Sequence, residues 1–339
     1  MLRTDTDFPD YTIFHLIHRE NTGGVEIGIE RSAAEINNYL NYRVYSVMSF
    51  RNGNYSFSNI RLILDMFRFQ RKIIISSLWL SHFISFILSL FSLYWIAFFH
   101  SAANFHKLDK VCKNIAIKFA DRYFCDCDTT AKFHNLNHYY IIPYVFKLKS
   151  KPLSKKPIDF LFVARADAVK RFGKFIDMMR ELENDIGILN VHIYSNRDFE
   201  FLLTNNQMLK LKRYKTFINA PRREIELAMT SSKFFVSTSE KEGFGLAIAE
   251  SINGGSVPIV TKVGEPSIYL DEDKAIFLES SGELSVAAKN KIINLFKNPI
   301  SLSEVNKRAK KSLQHYGNYT DAMVSALESV HESIKLKRR

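Results

Sequence analysis

The sequence predicts an α/β protein built from two domains with parallel sheets. In both halves of the chain, short apolar runs typical of buried strands alternate with longer amphipathic runs typical of helices. The chain has 339 residues, more than a single hydrophobic core usually fills, and 46% of them are hydrophobic. A basic segment with two prolines, residues 146–157, separates the halves and predicts a linker.

These observations set the expected domain boundaries. We expect an N-terminal domain over residues 1–148, a basic linker over 149–157 and a C-terminal domain over 158–318. Residues 319–339 are expected to form a C-terminal helix with a basic tail, and this helix is expected to cross back to the N-terminal domain.

The N-terminal half begins with an apolar strand over 12–17 and contains one unusual stretch, residues 73–99. This stretch carries no formally charged residue over 27 positions, so it is long enough to cross a bilayer. Its serines favour a buried β-α-β unit instead, with a β-branched strand at 73–75, helical apolar spacing over 81–92 and a strand over 94–99. A membrane-spanning or membrane-dipping helix is the alternative.

In the C-terminal half, two cations follow an apolar strand. The run 159–164 ends at Arg165, and Lys170 comes shortly before an amphipathic stretch over 172–182. Because ligands bind at the carboxyl ends of strands in open α/β sheets, both cations are expected at a ligand site. An arginine fork and a lysine ammonium can together clamp a diphosphate. The alternative is a pair of surface cations at a helix start.

The most informative motif is the nonapeptide 242–250, EGFGLAIAE. The apolar run 233–238 before it predicts a buried strand, and Gly243 and Gly245 supply a tight turn into a helix that begins near Leu246. The first N–H groups of such a helix have no partner within the helix, and they bind phosphate well.

Two carboxylates, Glu242 and Glu250, flank this turn at a separation of eight positions. Glu250 lies about two turns into the helix at ~1.5 Å per residue, too far for the same phosphate but within reach of a ribose. Glu242 precedes the turn, where it can accept hydrogen bonds from sugar hydroxyls. The alternative is an ordinary strand-to-helix turn with two solvated glutamates.

The two motifs together resemble those of retaining glycosyltransferase family 4, among the glycosyl transferases group 1. Residues 160–170 resemble that family's "FVGR…K" segment, and residues 242–250 resemble its "EGFGL…E" segment. Weaker similarities occur at the glycine pair Gly23-Gly24, the strand that ends at His100, the hinge-like 141–143, and 255–260 followed by Gly264-Glu265. The resemblance implies a GT-B fold, in which two Rossmann-like domains face each other across a cleft that holds the donor.

The resemblance also implies roles for these residues. Arg165 and Lys170 would hold the diphosphate of a nucleotide-sugar and stabilise the leaving group electrostatically, without a metal. Glu250 would bind the ribose, and Glu242 the donor sugar. The catalytic set expected from the resemblance is His100, Glu242, Arg165 and Lys170. The donor-binding set is Gly23, Gly24, Arg165, Lys170, Glu242, Gly243, Phe244, Gly245, Leu246 and Glu250.

The loop at 219–221 departs from the family pattern beside the nucleobase. The sequence therefore leaves the base open, and we expect a UDP- or GDP-linked sugar as substrate. No cofactor and no metal are expected.

The net charge of +12 calls for an anionic partner or a solubilising role. Basic runs occur at 307–311 and 335–339. The sequence has no recognised nucleic-acid-reading motif, so we exclude nucleic acid as a partner. An anionic membrane surface is expected instead, and the alternative is a solubilising basic tail.

Three cysteines, Cys112, Cys125 and Cys127, are an odd count without a secretory signal, which predicts a reducing cytoplasmic compartment. The sequence Asp126-Cys127-Asp128 has the form of a metal-binding "DxD" motif, but it follows a run that resembles a GT-B strand. The cysteines and nearby histidines lack the spacing of a structural zinc site.

We therefore expect a retaining glycosyltransferase that moves a sugar from a nucleotide-sugar to an acceptor hydroxyl. The expected acceptor is a lipid-linked saccharide in the assembly of a bacterial surface polysaccharide, lipopolysaccharide or capsule, at the cytoplasmic face of a membrane. One alternative is a nucleotide-sugar epimerase with the GT-B fold. Another is a membrane-anchored, non-enzymatic module that spans the bilayer through 73–99.

Overall fold

The computed structural model describes residues 11–337 except 20–23, 52–53, 57–61, 63, 66–67, 70, 92–93, 103, 105 and 146–155. Gly23 and most of the predicted linker lie outside the described residues. The chain divides into two compact units, one formed by Met1–Tyr144 with Asn318–Arg339 and the other by Val145–Gly317. We call them the N-terminal unit and the C-terminal unit.

The N-terminal unit contains a seven-stranded sheet in the order β3-β2-β1-β4-β5-β6-β7. Neighbouring strands are parallel except for β2 and β3, which are antiparallel. With elements numbered in chain order, the unit comprises β1 (Thr12–Arg19), α1 (Gly24–Ile36), β2 (Asn41–Arg51), β3 (Asn54–Ser56), β4 (Lys72–Ser77), α2 (Trp79–Ser89), β5 (Tyr94–Phe99), α3 (Lys107–Phe119), β6 (Arg122–Cys125), α4 (Asp128–Phe133), β7 (Tyr139–Ile141) and α12 (Tyr319–Lys337).

The uncharged stretch 73–99 folds as β4, α2 and β5, so the predicted β-α-β order is confirmed. The prediction that this unit is buried holds for its strands, whereas Phe83, Ile87, Leu90 and Phe91 are exposed. Ser76 in this stretch has buried polar partners: its Oγ lies 2.7 Å from His82 Nδ1 and accepts a 2.7 Å hydrogen bond from Trp95 Nε1. Hydrogen bonding offsets the cost of burying a hydroxyl, which explains why serines are compatible with an apolar core here. Among the described residues, no helix combines the length and apolar character that a membrane span requires.

The C-terminal unit contains a six-stranded parallel sheet in the order β10-β9-β8-β11-β12-β13. Its elements are β8 (Ile158–Ala164), α5 (Phe172–Ile186), β9 (Val191–Ser195), α6 (Asn205–Leu211), β10 (Lys215–Ile218), α7 (Arg222–Ser231), β11 (Ser232–Ser237), α8 (Leu246–Asn253), β12 (Val257–Thr261), α9 (Pro266–Tyr269), β13 (Ile276–Leu278), α10 (Val286–Lys297) and α11 (Pro299–Gln314).

The strand order of this second sheet reverses direction between β8 and β11. The chain runs outward from β8 to β10 and then returns to the other side of β8 to begin β11. Such a reversal is a topological switch point, where loops at the carboxyl ends of neighbouring strands leave in opposite directions and open a crevice. Both predicted motifs follow these two central strands, so the topology brings them to one place.

Aromatic packing holds the central strands together. Phe160 of β8 stacks on Phe234 of β11 with ring centroids 5.1 Å apart, and Phe162 lies against Phe172 and Phe175 of the following segment. Lys156, which the sequence places in the linker, is buried in this unit. Its ammonium donates to the carbonyl oxygens of Ser232 (3.0 Å) and Gly254 (3.1 Å), so it is part of the fold.

Candidate functional site

The loops that follow β8 and β11 are bonded to each other at the switch point. Asp167 Oδ1 accepts a hydrogen bond from Val169 N–H (3.2 Å) and caps a single helical turn over Ala168–Lys170. The loop after β11 holds this turn, because Thr238 Oγ1 donates to Lys170 O (2.7 Å) and Glu240 N–H donates to Val169 O (2.7 Å). The backbone that carries Lys170 is therefore fixed before any ligand binds.

Two predicted residues, Lys170 and Glu242, meet here. Lys170 Nζ lies 2.6 Å from Glu242 Oε1, with side-chain exposures of 17% and 15%. A charge pair this close and this shielded is well oriented, yet one side of each group still faces solvent. Arg165 lies directly after β8, and its side chain is exposed. The structure thus brings Lys170 and Glu242 into contact and places Arg165 at the same sheet edge.

The glycine-rich turn after β11 packs tightly against the loop after β12. Gly245 has φ +77°, and a Cβ there would meet Pro266 Cγ at 2.7 Å. Gly264 has φ +62°, and a Cβ there would lie 2.3 Å from Glu242 O. Glu265 N–H donates to Gly243 O (3.0 Å) between the same two loops. These glycines allow an approach that an L side chain would block, and α8 begins at Leu246.

Phe244 contributes packing from inside this turn. Its side chain is buried, and its ring lies 5.9 Å from the ring of Tyr269 and 5.4 Å from that of Tyr316. Tyr316 OH donates to Glu265 Oε1 (2.7 Å), so the aromatic group also holds the neighbouring loop. The Phe244 side chain therefore supports the turn from inside.

Glu250 lies in the second turn of α8 with a side chain that is 3% exposed. Its carboxylate forms an ion pair with Arg222, the first residue of α7, whose Nε lies 3.1 Å from Glu226 Oε1. Burial alone lowers the pKa of Arg222, but Glu250 and Glu226 raise it above its ordinary value, so the guanidinium stays charged. Arg222 was not predicted from the sequence; its signal was an arginine directly after Pro221, at the loop expected beside the nucleobase.

His100, in the N-terminal unit, follows β5 and has both ring nitrogens engaged. Its Nε2 lies 2.9 Å from Ser77 Oγ, and its Nδ1 lies 2.9 Å from Tyr144 OH. Ser77 Oγ is also 2.6 Å from His15 Nε2, and His15 Nδ1 contacts Tyr42 OH. His15 was not predicted from the sequence; its signal was a histidine inside an apolar strand.

Burial keeps these two imidazoles neutral. It lowers the pKa of His15 to about 3, and burial together with nearby cations and histidines lowers the pKa of His100 well below its usual range. A neutral His100 with both nitrogens hydrogen-bonded is held in a fixed orientation. Its single N–H donates to either Ser77 or Tyr144. Gly24, predicted nearby, is the first residue of α1.

The Asp126-Cys127-Asp128 segment has internal partners for its side chains. Cys127 Sγ lies 3.4 Å from Asp126 Oδ1, and Tyr139 OH donates to Asp128 Oδ1 (2.8 Å). In the part of the chain that the structure describes, no group of three or more His, Cys, Asp or Glu side chains is placed to hold a metal ion.

Comparison with known families identifies this arrangement. Residues 146–312, which include the switch point and the Arg222–Glu250 pair, match the family described as glycosyl transferases group 1. The C-terminal unit belongs to the glycosyl transferases group 1. The two segments on which the sequence-based resemblance rests, residues 160–170 and 242–250, both lie within this match and form the site at the sheet edge. No curated protein sequence matches the chain.

Solved structures extend the fold likeness from this group 1 domain to both units. HepE from Anabaena, solved with UDP and glucose, is 13% identical with a TM-score of 0.71, covering 94% of this chain and 99% of its own. Sucrose-phosphate synthase from Thermosynechococcus elongatus is 14% identical with a TM-score of 0.73, covering 96% and 100%. A glycosyltransferase from Rickettsia africae is 12% identical with a TM-score of 0.66, covering 96% and 99%.

These similarities establish the fold. The chain has the α/β GT-B fold of glycosyltransferases, as the sequence predicts. The match of residues 146–312 to the glycosyl transferases group 1 agrees with the sequence-based resemblance, whereas assignment to the retaining family 4 and to surface-polysaccharide synthesis stays a prediction.

Proposed function

We propose that this group 1 glycosyltransferase transfers a hexose from a nucleotide-sugar to an acceptor hydroxyl with retention of anomeric configuration. The observation that carries the proposal is the contact of Lys170 with Glu242 at the switch point, beside Arg165 and the start of α8. One site then presents cations for a diphosphate and a carboxylate for a sugar.

The leaving group explains the cations. When the bond between the sugar and the diphosphate breaks, negative charge grows on the departing phosphate oxygen. Arg165 and Lys170 would stabilise that charge, and the first N–H groups of α8 add partial positive charge to the same place. Lys170 is already held by Glu242 and by the loop after β11, so little reorganisation is needed as the charge develops. No metal enters this proposal.

The nucleoside end is assigned to the Arg222–Glu250 pair. Glu250 lies in the second turn of α8, beyond the phosphate position, and a carboxylate can accept hydrogen bonds from both ribose hydroxyls. Arg222 supplies the positive charge that makes burying this carboxylate tolerable. Glu242 would contact hydroxyls of the donor sugar with the oxygen edge that faces away from Lys170.

We propose a UDP-linked donor first and a GDP-linked donor second. Support comes from HepE of Anabaena, which was solved with UDP-glucose, and from the pneumococcal O-GlcNAc transferase GtfA, solved with UDP and GlcNAc. His100, Gly23 and Gly24 of the N-terminal unit are proposed to serve the reacting centre and the donor phosphates, as the family resemblance implies.

The proposed acceptor is a lipid-linked saccharide in bacterial surface polysaccharide assembly, reached at the cytoplasmic face of a membrane. The net charge of +12 supports an anionic surface as a partner. The family resemblance supports the class of acceptor.

Thermal-shift measurements with UDP-, GDP-, ADP- and CMP-linked sugars test the donor site. A ligand at about 100 times its dissociation constant stabilises the native state by about 2.7 kcal/mol, which is readily measured. We expect one nucleotide class to shift the wild type, and Arg165→Ala and Glu250→Ala to abolish that shift. Lys174→Ala is the matched control, since Lys174 forms an exposed pair with Glu283 (2.6 Å).

Product stereochemistry then tests the reaction. With a donor of known anomeric configuration and a saccharide acceptor, proton NMR of the product is expected to show the same configuration. An inverted product would refute retention. Conversion of the donor sugar to its epimer without any acceptor would replace the proposal by an epimerase.

A further inference from the structure

Helix α2 of the N-terminal unit exposes an apolar face. Phe83 and Ile87 lie on that face, and Leu90 and Phe91, which directly follow the end of α2, continue it and are 70% and 74% exposed. The opposite side of α2 packs on the sheet. Soluble proteins rarely expose several large apolar side chains side by side unless a partner covers them.

Helix α3 lies beside α2 and supplies positive charge. Both helices pack on the same hydrophobic cluster of the sheet, and Phe86 of α2 contacts Phe119 of α3 with ring centroids 4.9 Å apart. The outward side of α3 carries exposed Lys107, Lys110 and Lys118. We call the exposed residues Phe83, Ile87, Leu90, Phe91, Lys107 and Lys118 the α2/α3 face.

Negative charge is absent from the outward surface of these two helices. Their single acidic residue, Asp109, is buried, and its Oδ2 lies 3.0 Å from Lys113 Nζ. The next acidic residue along the chain, Asp121, lies beyond the end of α3; it is exposed and accepts a hydrogen bond from the backbone N–H of Trp95 (2.9 Å). The α2/α3 face therefore combines apolar side chains with lysines, which complements an anionic and partly apolar partner.

We propose that the α2/α3 face binds an anionic phospholipid membrane. Phe83, Ile87, Leu90 and Phe91 would enter the boundary between headgroups and acyl chains, while the lysines contact phosphate groups. Helix α2 has 11 residues, too few to cross a bilayer, so it lies in the interface. The inference rests on the proposed function only for the reason why the protein would bind a membrane, because a lipid-linked acceptor lies at a membrane surface.

Vesicle sedimentation of the full chain tests this inference without donor or acceptor. The vesicles contain phosphatidylglycerol and phosphatidylcholine at about three to seven, with pure phosphatidylcholine for comparison. The apolar variant is Leu90→Ser/Phe91→Ser, and its control is Val286→Ser/Ile300→Ser, two apolar residues of the C-terminal unit that are 77% and 74% exposed. Because all four side chains are largely exposed, these changes should leave folding intact, which the thermal midpoint checks.

A second pair of variants tests charge. Lys107→Glu/Lys118→Glu is compared with Lys307→Glu/Lys311→Glu, which reverses exposed charges on the other basic run. We expect both changes in the α2/α3 face to lower the partition coefficient on anionic vesicles by about tenfold or more. Both control variants should bind like the wild type, and high salt should weaken binding.

Three results would overturn the inference. The wild type could fail to bind anionic vesicles, or the Lys307/Lys311 variant could lose binding while the Leu90/Phe91 variant keeps it. Sedimentation velocity could instead reveal a dimer that depends on Phe91 without vesicle binding, which would assign the face to a second copy of the chain. None of these results depends on donor binding. The membrane contact and the proposed transfer reaction are therefore tested separately.

Discussion

The hydroxyl of Ser77 is bonded to two buried histidines, and this fixes a relation between their protons. A hydroxyl carries one proton and can donate it to only one of these histidines. When Ser77 donates to the Nε2 of one ring, the other imidazole must donate its own Nε2–H to the Ser77 oxygen. Burial keeps both rings neutral with one N–H each. We therefore predict opposite tautomers, one ring protonated at Nε2 and the other at Nδ1.

Ser77→Ala removes this coupling. It leaves two buried nitrogens without their partner, at about 1 to 3 kcal/mol each, so the expected loss in unfolding free energy is about 2 to 6 kcal/mol. The matched control is Ser76→Ala on the other face of β4, which also removes two buried contacts, those with His82 and Trp95. Both variants should be destabilised similarly in urea unfolding, yet only Ser77→Ala should change the tautomer of His100.

Long-range nitrogen–proton NMR spectra of histidine-labelled protein measure the tautomers directly. Signals of His15 and His100 are assigned by their loss in His15→Gln and His100→Gln. Finding both rings in the same tautomer in the wild type would refute the reasoning. So would a change at His100 in Ser76→Ala equal to that in Ser77→Ala, because general destabilisation would then explain it.

Two further predictions concern acid stability and the glycine turn. Burial lowers the pKa of both His15 and His82 to about 3 from 6.5, so the unfolded chain binds more protons between these values. Stability should fall as pH drops below 6.5, by up to about 1.4 kcal/mol per pH unit for each histidine, and urea unfolding of His82→Gln should show a shallower fall. Gly264→Ala should cost about 1 to 3 kcal/mol and abolish the nucleotide-dependent thermal shift, because its Cβ would lie 2.3 Å from a backbone carbonyl oxygen of the turn before α8. Gly187→Ala is the control that adds backbone strain alone, because Gly187 has φ +94° and an added Cβ there would meet no described residue within 4 Å apart from its chain neighbours. Equal nucleotide binding in the two variants would contradict the role of the turn.

Local sequence patterns predict most of the strands and helices that position the site. The predicted strand 94–99 has the same bounds in the structure, and the helix predicted to begin near Leu246 begins there. Both follow from local information. Apolar spacing distinguishes strand from helix, and Gly245 adopts a positive φ that other residues avoid, which ends the turn and starts α8.

The contacts between polar groups, in contrast, depend on how the strands pack in three dimensions. Lys170 and Glu242 are 72 positions apart, and His15 and Ser77 are 62 apart. Arg222 and His15 escaped the sequence analysis because an arginine at a helix start or a histidine in a strand has many possible partners. Strand order and register select among them: β8 lies beside β11 and β1 beside β4, so groups remote in sequence reach hydrogen-bond distance. The pattern of residues along the chain does not specify which strands lie side by side in the sheet.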